Sequence, residues 1–286
     1  MDQRTTSDHT DIVSNTCLNE LDSFRHTTMG AMKQLEQLTP GDVAGFHHRY
    51  YGPGNATLTL VGDIDPASAV RLAEACFGDL APRIPPELPS MSPAGNRSQQ
   101  AVVLESSNLP DDRVHLGFRI PPVGDPEHDV VTVLGAVLGL GRGSLLARSL
   151  VEGGLVLPAG ELMTVWRCSG DSSLLVAGLR AAPGVKAEEV EAAARDVMEA
   201  AWSQMVEDDL QRASALVVAQ VLRHMETVSG RADFLSEMTT VFGDPLAATG
   251  FVHRIRAVSL DDLRDTARRL LVSDDAFVVK CVARRD

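Results

Sequence analysis

Aromatic side chains are scarce: two Trp, two Tyr and eight Phe make up 4% of 286 residues. An interior so poor in rings must be built from Leu, Val, Ala and Met, which suits helices packed on a sheet better than an aromatic-rich β-sandwich. Basic runs are missing as well. The formal net charge is −13 and no cluster of Lys and Arg interrupts it, so a nucleic-acid backbone is repelled over most of the surface and an anionic membrane is disfavoured. No uninterrupted apolar stretch reaches the roughly 20 residues that span a bilayer. The opening MDQRTTSDHTDIVSNTCLNELDS lacks the basic start and apolar core of a secretion signal, and its acidic residues argue against a transit peptide. A cytoplasmic location is the expectation. Cys17, Cys76, Cys168 and Cys281 are far apart and form no CxxC pair. That spacing gives no support to a zinc ribbon or redox motif, and buried free thiols are expected.

What is present is an alanine-rich chain, 44% hydrophobic, long enough to bury one large core or two smaller ones. Two blocks flank LAPRIPPELPSMSPAGN, where the prolines can continue neither a helix nor a central strand. The expected division is therefore residues 1–82, a proline-rich linker at 83–98, and residues 99–286. In the first block, Thr39 followed by Pro40, Gly41 and Asp42 predicts a helix start, with a capping hydroxyl and then proline at the first helical position. That helix runs Asp42 to Tyr51. GPGN stops it and ATLTLVGD predicts a strand. Asp65 and Pro66 then open a second helix, whose Val70, Leu72, Ala73 and Cys76 are expected to face a core.

In the second block the pattern predicts strands at Ala101–Glu105 and Val114–Ile120, a helix Glu127–Leu138, a glycine turn and a helix Ser144–Glu152. Strands Leu155–Trp166 and Ser173–Leu179 come next. A long helical region from Ala187 to about Val228, split near Glu207–Asp209, precedes helices Leu246–Ile255 and Leu260–Leu271 and a last strand, Ala276–Val282. Antiparallel strands with helices grouped between them predict an α+β sheet covered on one face.

The stretch Tyr50 to Asp79, YYGPGNATLTLVGDIDPASAVRLAEACFGD, resembles the insulinase-like and processing-peptidase-like (M16) zinc metallopeptidases. Members carry a tyrosine pair, a proline and asparagine turn, an apolar strand ending in glycine and an acidic residue, and a helix closing on FGD. Tyr50, Tyr51, Pro53, Asn55, Gly62, Asp63, Phe77, Gly78 and Asp79 fit one by one. The resemblance continues in GRGSLLARSLVEGGL from Gly141, AAPGV at Ala181–Val185, GRAD at Gly230–Asp233 and FGDP at Phe242–Pro245. It implies an M16 peptidase-like antiparallel sheet covered by helices. Residues 1–82 would be the C-terminal part of a first subdomain and 99–286 a complete second one. In the family the zinc-binding HxxEH helix lies early in the first subdomain, so the resemblance implies a chain that starts past it.

HxxEH is absent. Zinc hydrolysis needs about three protein ligands, an open position for water and a carboxylate to take the proton. In HxxEH two histidines one helical turn apart reach the same ion. His9, His26, His115, His128, His224 and His253 have no second histidine three or four residues away. His47 and His48 are adjacent, about 100° apart on a helix, and cannot copy the motif. No catalytic, cofactor-binding or metal-ligating residue is therefore expected in this chain, and zinc is expected only in a complete or partner half.

Other patterns have simpler readings. Gly139, Gly141 and Gly143 lack the GK[ST] and βαβ context of a phosphate loop and fit a turn between helices. Ser144 is not in a GxSxG elbow. His224 with Glu226 fits a solvated helix face, and Glu207, Asp208 and Asp209 fit helix capping and dipole stabilisation. The resemblance also implies an arginine and a tyrosine near Gly143–Pro158 in the zinc-free halves of the family, where they assist catalysis. This chain has Leu145 and Leu157 at what look like those places.

Three functions compete. The chain is a zinc-lacking portion of a metalloendopeptidase half that helps form a peptide-binding chamber, or a naturally short scaffold subunit partnering an HxxEH-containing M16 protein. The third is a small-molecule enzyme, for which no polar constellation is found. Under the first two, the expected partners are an HxxEH-containing chain or segment and a peptide substrate. The strand at Thr57–Gly62 is expected to expose backbone edges and an apolar face.

Overall fold

A computed structural model describes residues 32–81, 83, 101–106, 109–166, 173–272 and 276–284. The expected linker, Arg83 apart, lies outside the described residues, as do His9, His26, Cys17 and Cys168. By contact the chain divides into a larger unit, drawn from Met91–Val218 and Val252–Asp286, and a smaller one, drawn from Met29–Ser90 and Ala219–Phe251. Residues 219–251, which follow the linker in sequence, thus group with the segment that precedes it.

The larger unit is built on five strands, β1 (Ala101–Ser106), β2 (Arg113–Ile120), β3 (Met163–Trp166), β4 (Ser173–Arg180) and β5 (Phe277–Ala283), in the order β1-β5-β2-β4-β3. The α+β class holds with one change of detail. β2 pairs antiparallel with β4 and β5, and β3 with β4, but β1 runs parallel to β5. The sheet is therefore mixed. The parallel pair arises because the chain's last strand enters between β1 and β2, a placement that hydrophobic pattern does not encode.

Two helices cover one face of this sheet, α3 (Pro126–Gly139) and α4 (Ala187–Gln204), and a third, α8 (Leu260–Leu271), packs against both. Alternation along β2 sends Val114, Leu116, Phe118 and Ile120 to that face, all buried. Lys280 of β5, opposite Val114, reaches Glu191 at 3.2 Å and Glu188 at 3.6 Å in α4. Gly135 lies where α3 crosses the sheet, and a Cβ there would stand 3.0 Å from a Leu175 methyl, so that the leucine would have to give by a fraction of an ångström. The opposite face is apolar as well. Leu174, Val176, Phe277, Val279 and Cys281 cluster there with Val102, Leu104 and Trp166, and the Arg119 guanidinium lies 5.3 Å from the centre of the Phe277 ring. Buried apolar residues thus occupy both faces, more than the one-face expectation contained.

A buried carboxylate ties three parts of this unit together. Asp112, ahead of β2, accepts from the Ala187 N–H at the start of α4 (3.1 Å) and from the Ala283 N–H at the end of β5 (2.9 Å). Two predicted elements are corrected. The helix expected at Ser144–Glu152 begins at Leu145 and ends in a π-turn over Ala147–Val151, where the Glu152 N–H bonds to the Ala147 carbonyl five residues back. The strand expected at Leu155–Trp166 shortens to β3, because Pro158, Ala159 and Gly160 interrupt it and leave only bridges at Val156 and Glu161.

The smaller unit holds α1 (Pro40–Tyr50), α2 (Pro66–Phe77) and α6 (Val228–Phe242), with the end of α5 (Glu207–His224) and part of α7 (Ala247–Ala257). Local signals act as predicted. Thr39 and Asp42 form a reciprocal capping box with Pro40 at the first helical position, and Asp65 accepts from the Ser68 N–H ahead of α2. A small core gathers Phe234 and Met238 of α6 with Val221, Met225 and Leu235. The core expected under α2 is not there: Val70 is 57% and Leu72 65% exposed, and the Cys76 thiol is exposed too. Only Ala69 and Ala73, one turn apart, are partly covered. Among the described residues nothing packs on the bulky stripe of this helix.

Candidate functional site

The described histidines do not assemble. His47 and His48 are exposed on α1, where His47 stacks on Tyr51 with ring centres 5.0 Å apart. His115 stands on β2, while His128 is buried in α3 with Nδ1 2.9 Å from the Pro121 carbonyl oxygen. His224 with Glu226, and His253 on α7, lie exposed. Among the described residues no three His, Cys, Asp or Glu side chains converge as a metal site requires. The donor set for a catalytic zinc is thus not met by the residues described, and no chemical step can be built on one here.

The most elaborate polar arrangement surrounds the glycine turn after α3. Gly139 closes the helix against β3 so tightly that a Cβ would overlap the Met163 backbone. Gly141 then takes a left-handed conformation (φ 75°) and bonds through its N–H to the Gly160 carbonyl at 3.0 Å. Ser144 is fully buried and its hydroxyl donates to the Gly141 carbonyl at 2.8 Å. It stabilises the turn and is not presented as a nucleophile.

Arg212 of α5 reaches in from the other side, donating to the Leu140 carbonyl at 3.1 Å and the Val137 carbonyl at 3.4 Å, two acceptors left open at the end of α3. Burial pulls its guanidinium below the ordinary arginine value; Asp209 opposes that shift and Arg148 adds to it. Asp209, buried, accepts from Arg148 Nη2 at 3.1 Å and from the Val206 N–H at 3.3 Å. The acidic triplet thus caps α5 through Asp209, while Glu207 and Asp208 stay exposed. Burial pushes the carboxyl of the neighbouring Glu161 above its ordinary value, although the residue as a whole is exposed.

The two leucines of this region differ in setting. Leu145 is buried in the core, and Leu157 is half-buried with its N–H on the Arg180 carbonyl at 2.8 Å. Neither can act on a substrate chemically. The pair of Arg148 with Asp209, and Arg212 within its field, were not signalled by any motif. A search for a buried acid near two arginines 61 and 72 residues from their contacts has no basis in a linear pattern.

In the smaller unit the predicted strand Ala56–Asp63 leaves the turn at Pro53–Asn55 extended (Ala56 φ −131°, ψ 139°) but joins no sheet among the described residues. A strand needs a neighbour to form a ladder. The exposure expected of Thr57–Gly62 is seen: Leu58 is 56% and Leu60 51% exposed.

The larger unit is thus a mixed sheet backed by helices, with a buried aspartate and two arginines beside the glycine turn that follows α3. The profile of the peptidase M16 inactive domain matches residues 37–217, and the chain belongs to that family. It is 25% identical over 131 residues to a zinc protease of Helicobacter pylori, a match covering 45% of this chain and 30% of that protein. Among solved structures, a protease from Helicobacter pylori superposes with a TM-score of 0.82 at 20% identity, over 90% of this chain and 62% of that one. A peptidase M16 inactive domain from Pseudomonas fluorescens gives 0.82 at 17% identity, over 99% and 67%. The chain thus spans 30% of the length of the zinc protease that it matches and 62% and 67% of the two solved chains. No described helix is long and apolar enough to cross a membrane.

Proposed function

We propose that the chain is the zinc-lacking portion of an M16 metalloendopeptidase half, forming part of the wall of a peptide-binding chamber and acting only together with an HxxEH-bearing portion. The observation that carries this reading is a family match over 37–217 that includes β1 to β4 and the helices α3 and α4, in a sequence with no HxxEH. Zinc and the proton-accepting carboxylate belong to the other portion in this reading, and this chain supplies shape and peptide contacts. Purified alone, it is expected to hydrolyse no peptide and to hold no stoichiometric zinc by elemental analysis; chelator-sensitive cleavage by pure material would overturn the proposal.

A second reading, a naturally short scaffold subunit bound to a separate HxxEH protein, is favoured by the exposed apolar helices of the smaller unit. The intact mass from the native source separates the two. A species heavier than 30.6 kDa places the HxxEH helix on the same polypeptide, and a matching mass directs the search to a second one.

A further inference from the structure

The sheet face turned away from α3 and α4 carries cations at one end, in a chain with 39 acidic and 26 basic residues. Arg113 of β2 stands on that face directly opposite Arg180 of β4, and His115 follows two residues along, opposite Gly178. Side chains paired in this way have Cβ atoms roughly 5 Å apart, where like charges repel. Asp111 relieves only one of the two arginines: its Oδ2 accepts from Arg180 Nε at 2.9 Å and Nη2 at 2.6 Å, which leaves Nη1 unengaged. Arg113 forms no ion pair with a described residue, and its Nε is buried without an acceptor. Beside this pair the face is open, since Gly178 and Arg180 are both exposed. Glycine is not required there by the protein itself. A Cβ at Gly178 would meet nothing nearer than the His115 ring at 3.8 Å, an ordinary contact, and the residue does not have a positive φ. A bare position inside a strand leaves room for another backbone to approach closely.

We propose that Arg113 and Arg180 are a carboxylate-binding pair, over which an extended acidic peptide segment lies across Gly178. This rests on the function proposed above and narrows its peptide to segments rich in Asp and Glu. Charge supplies the argument for the ligand. Two guanidinium groups beside one carboxylate keep a net positive charge, and a further carboxylate relieves the repulsion between them while accepting charge-assisted hydrogen bonds. The floor supplies the argument for its shape. It is a strand face left bare by glycine, on which an extended segment lies flat and turns alternate side chains toward the arginines. The formal net charge of −13 repels the same segment from most of the remaining surface, so the site sets position as well as affinity. Being half-exposed, the contact weakens as salt is added.

The test titrates the full chain with a fluorescein-labelled decapeptide of alternating Glu and Thr, and with the same peptide carrying Gln for Glu, at low ionic strength and reads anisotropy. The Glu peptide is expected to bind about tenfold more tightly. Arg113→Gln and Arg180→Gln should each lose most of that preference, while Arg142→Gln, which removes the same charge from an exposed position on the glycine turn, should keep it. Gly178→Val fills the floor with a residue suited to a strand and leaves every charge in place; it should weaken binding of the Glu peptide with an unchanged circular dichroism spectrum, and it decides the matter if either arginine variant fails to fold. Equal affinity for the two peptides, binding of neither, or a loss in Arg142→Gln as large as that in the pair overturns the site. Full displacement by acetate at the same carboxylate concentration overturns the peptide as its occupant. The function proposed above is judged separately, by its zinc and cleavage assays.

Discussion

Helices α2 and α3 begin with the same local instructions and meet opposite fates. Each has an aspartate cap followed at once by proline, Asp65 and Pro66 in one, Asp125 and Pro126 in the other. In α3, Val131, Leu134, Val137 and Leu138 are among nine buried residues; α2 buries none, with Val70 and Leu72 in solvent. Caps and a proline at the first position fix where a helix starts, because they satisfy amides that no preceding turn can reach. They contribute nothing to what the helix packs against. That is settled by the sheet, which exists under α3 and not, among the described residues, against α2. The larger unit therefore has a packed core under its helix, and the smaller one leaves the bulky apolar positions of α2 exposed.

Truncating the finished core sharpens this contrast most. Leu134→Ala removes a fully buried side chain and is expected to lower unfolding stability by about 2–5 kcal/mol, read from urea denaturation. Asp112→Ala comes next, since it strands the buried amides of Ala187 and Ala283; a loss of about 2–4 kcal/mol is expected, with amide exchange accelerated at both positions. Asp209→Ala removes the α5 cap and the partner of Arg148, at about 1–2 kcal/mol.

A smaller effect concerns acid. Asp42 and Asp262 are held below the ordinary carboxylate value, first by the Thr39 and Ser259 hydroxyls and then by the amides of the same residues. A lowered folded value means that the stabilisation is fully present above the unfolded value and is lost as pH falls through the folded one. The first turns of α1 and α8 should therefore loosen below about pH 4, visible as shifts of the Thr39 and Ser259 amide resonances; acid-insensitive amides would show that the caps do not hold in solution. The smallest effect is expected in the smaller unit. Leu58→Ala should change the stability of the isolated chain by less than about 0.5 kcal/mol. A loss as large as that of Leu134→Ala would erase the contrast between the units.

Much of this was legible in the sequence for identifiable reasons. Leu260–Leu271 was placed to the residue because Ser259 and Asp262 announce its start and its apolar positions repeat at helical spacing. The strands β2 and β4 were placed within a residue by their dense β-branched and leucine runs. Less visible was the π-turn at Ala147–Val151, which differs from an α-helix by one inserted residue and has no signature of its own. The parallel pairing of β1 with β5 joins residues 177 apart, Ala101 and Val278, and a strand's own pattern does not state which neighbour it takes.

The turn cluster shows the same boundary. Gly139, Gly141 and Gly143 were correctly read as a turn, but Asp209 was read only as a cap, and its bond to Arg148 emerged only when α5 was set beside the turn. By itself the amino-acid sequence determined the family, the helix starts, the turns and the absence of HxxEH, because each depends on residues close together along the chain. The tertiary structure alone decided the mixed order of the sheet, the arginine–aspartate cluster and the exposure of Val70 and Leu72. Each of these depends on which distant segment arrives, or fails to arrive, to cover a side chain or pair a backbone group.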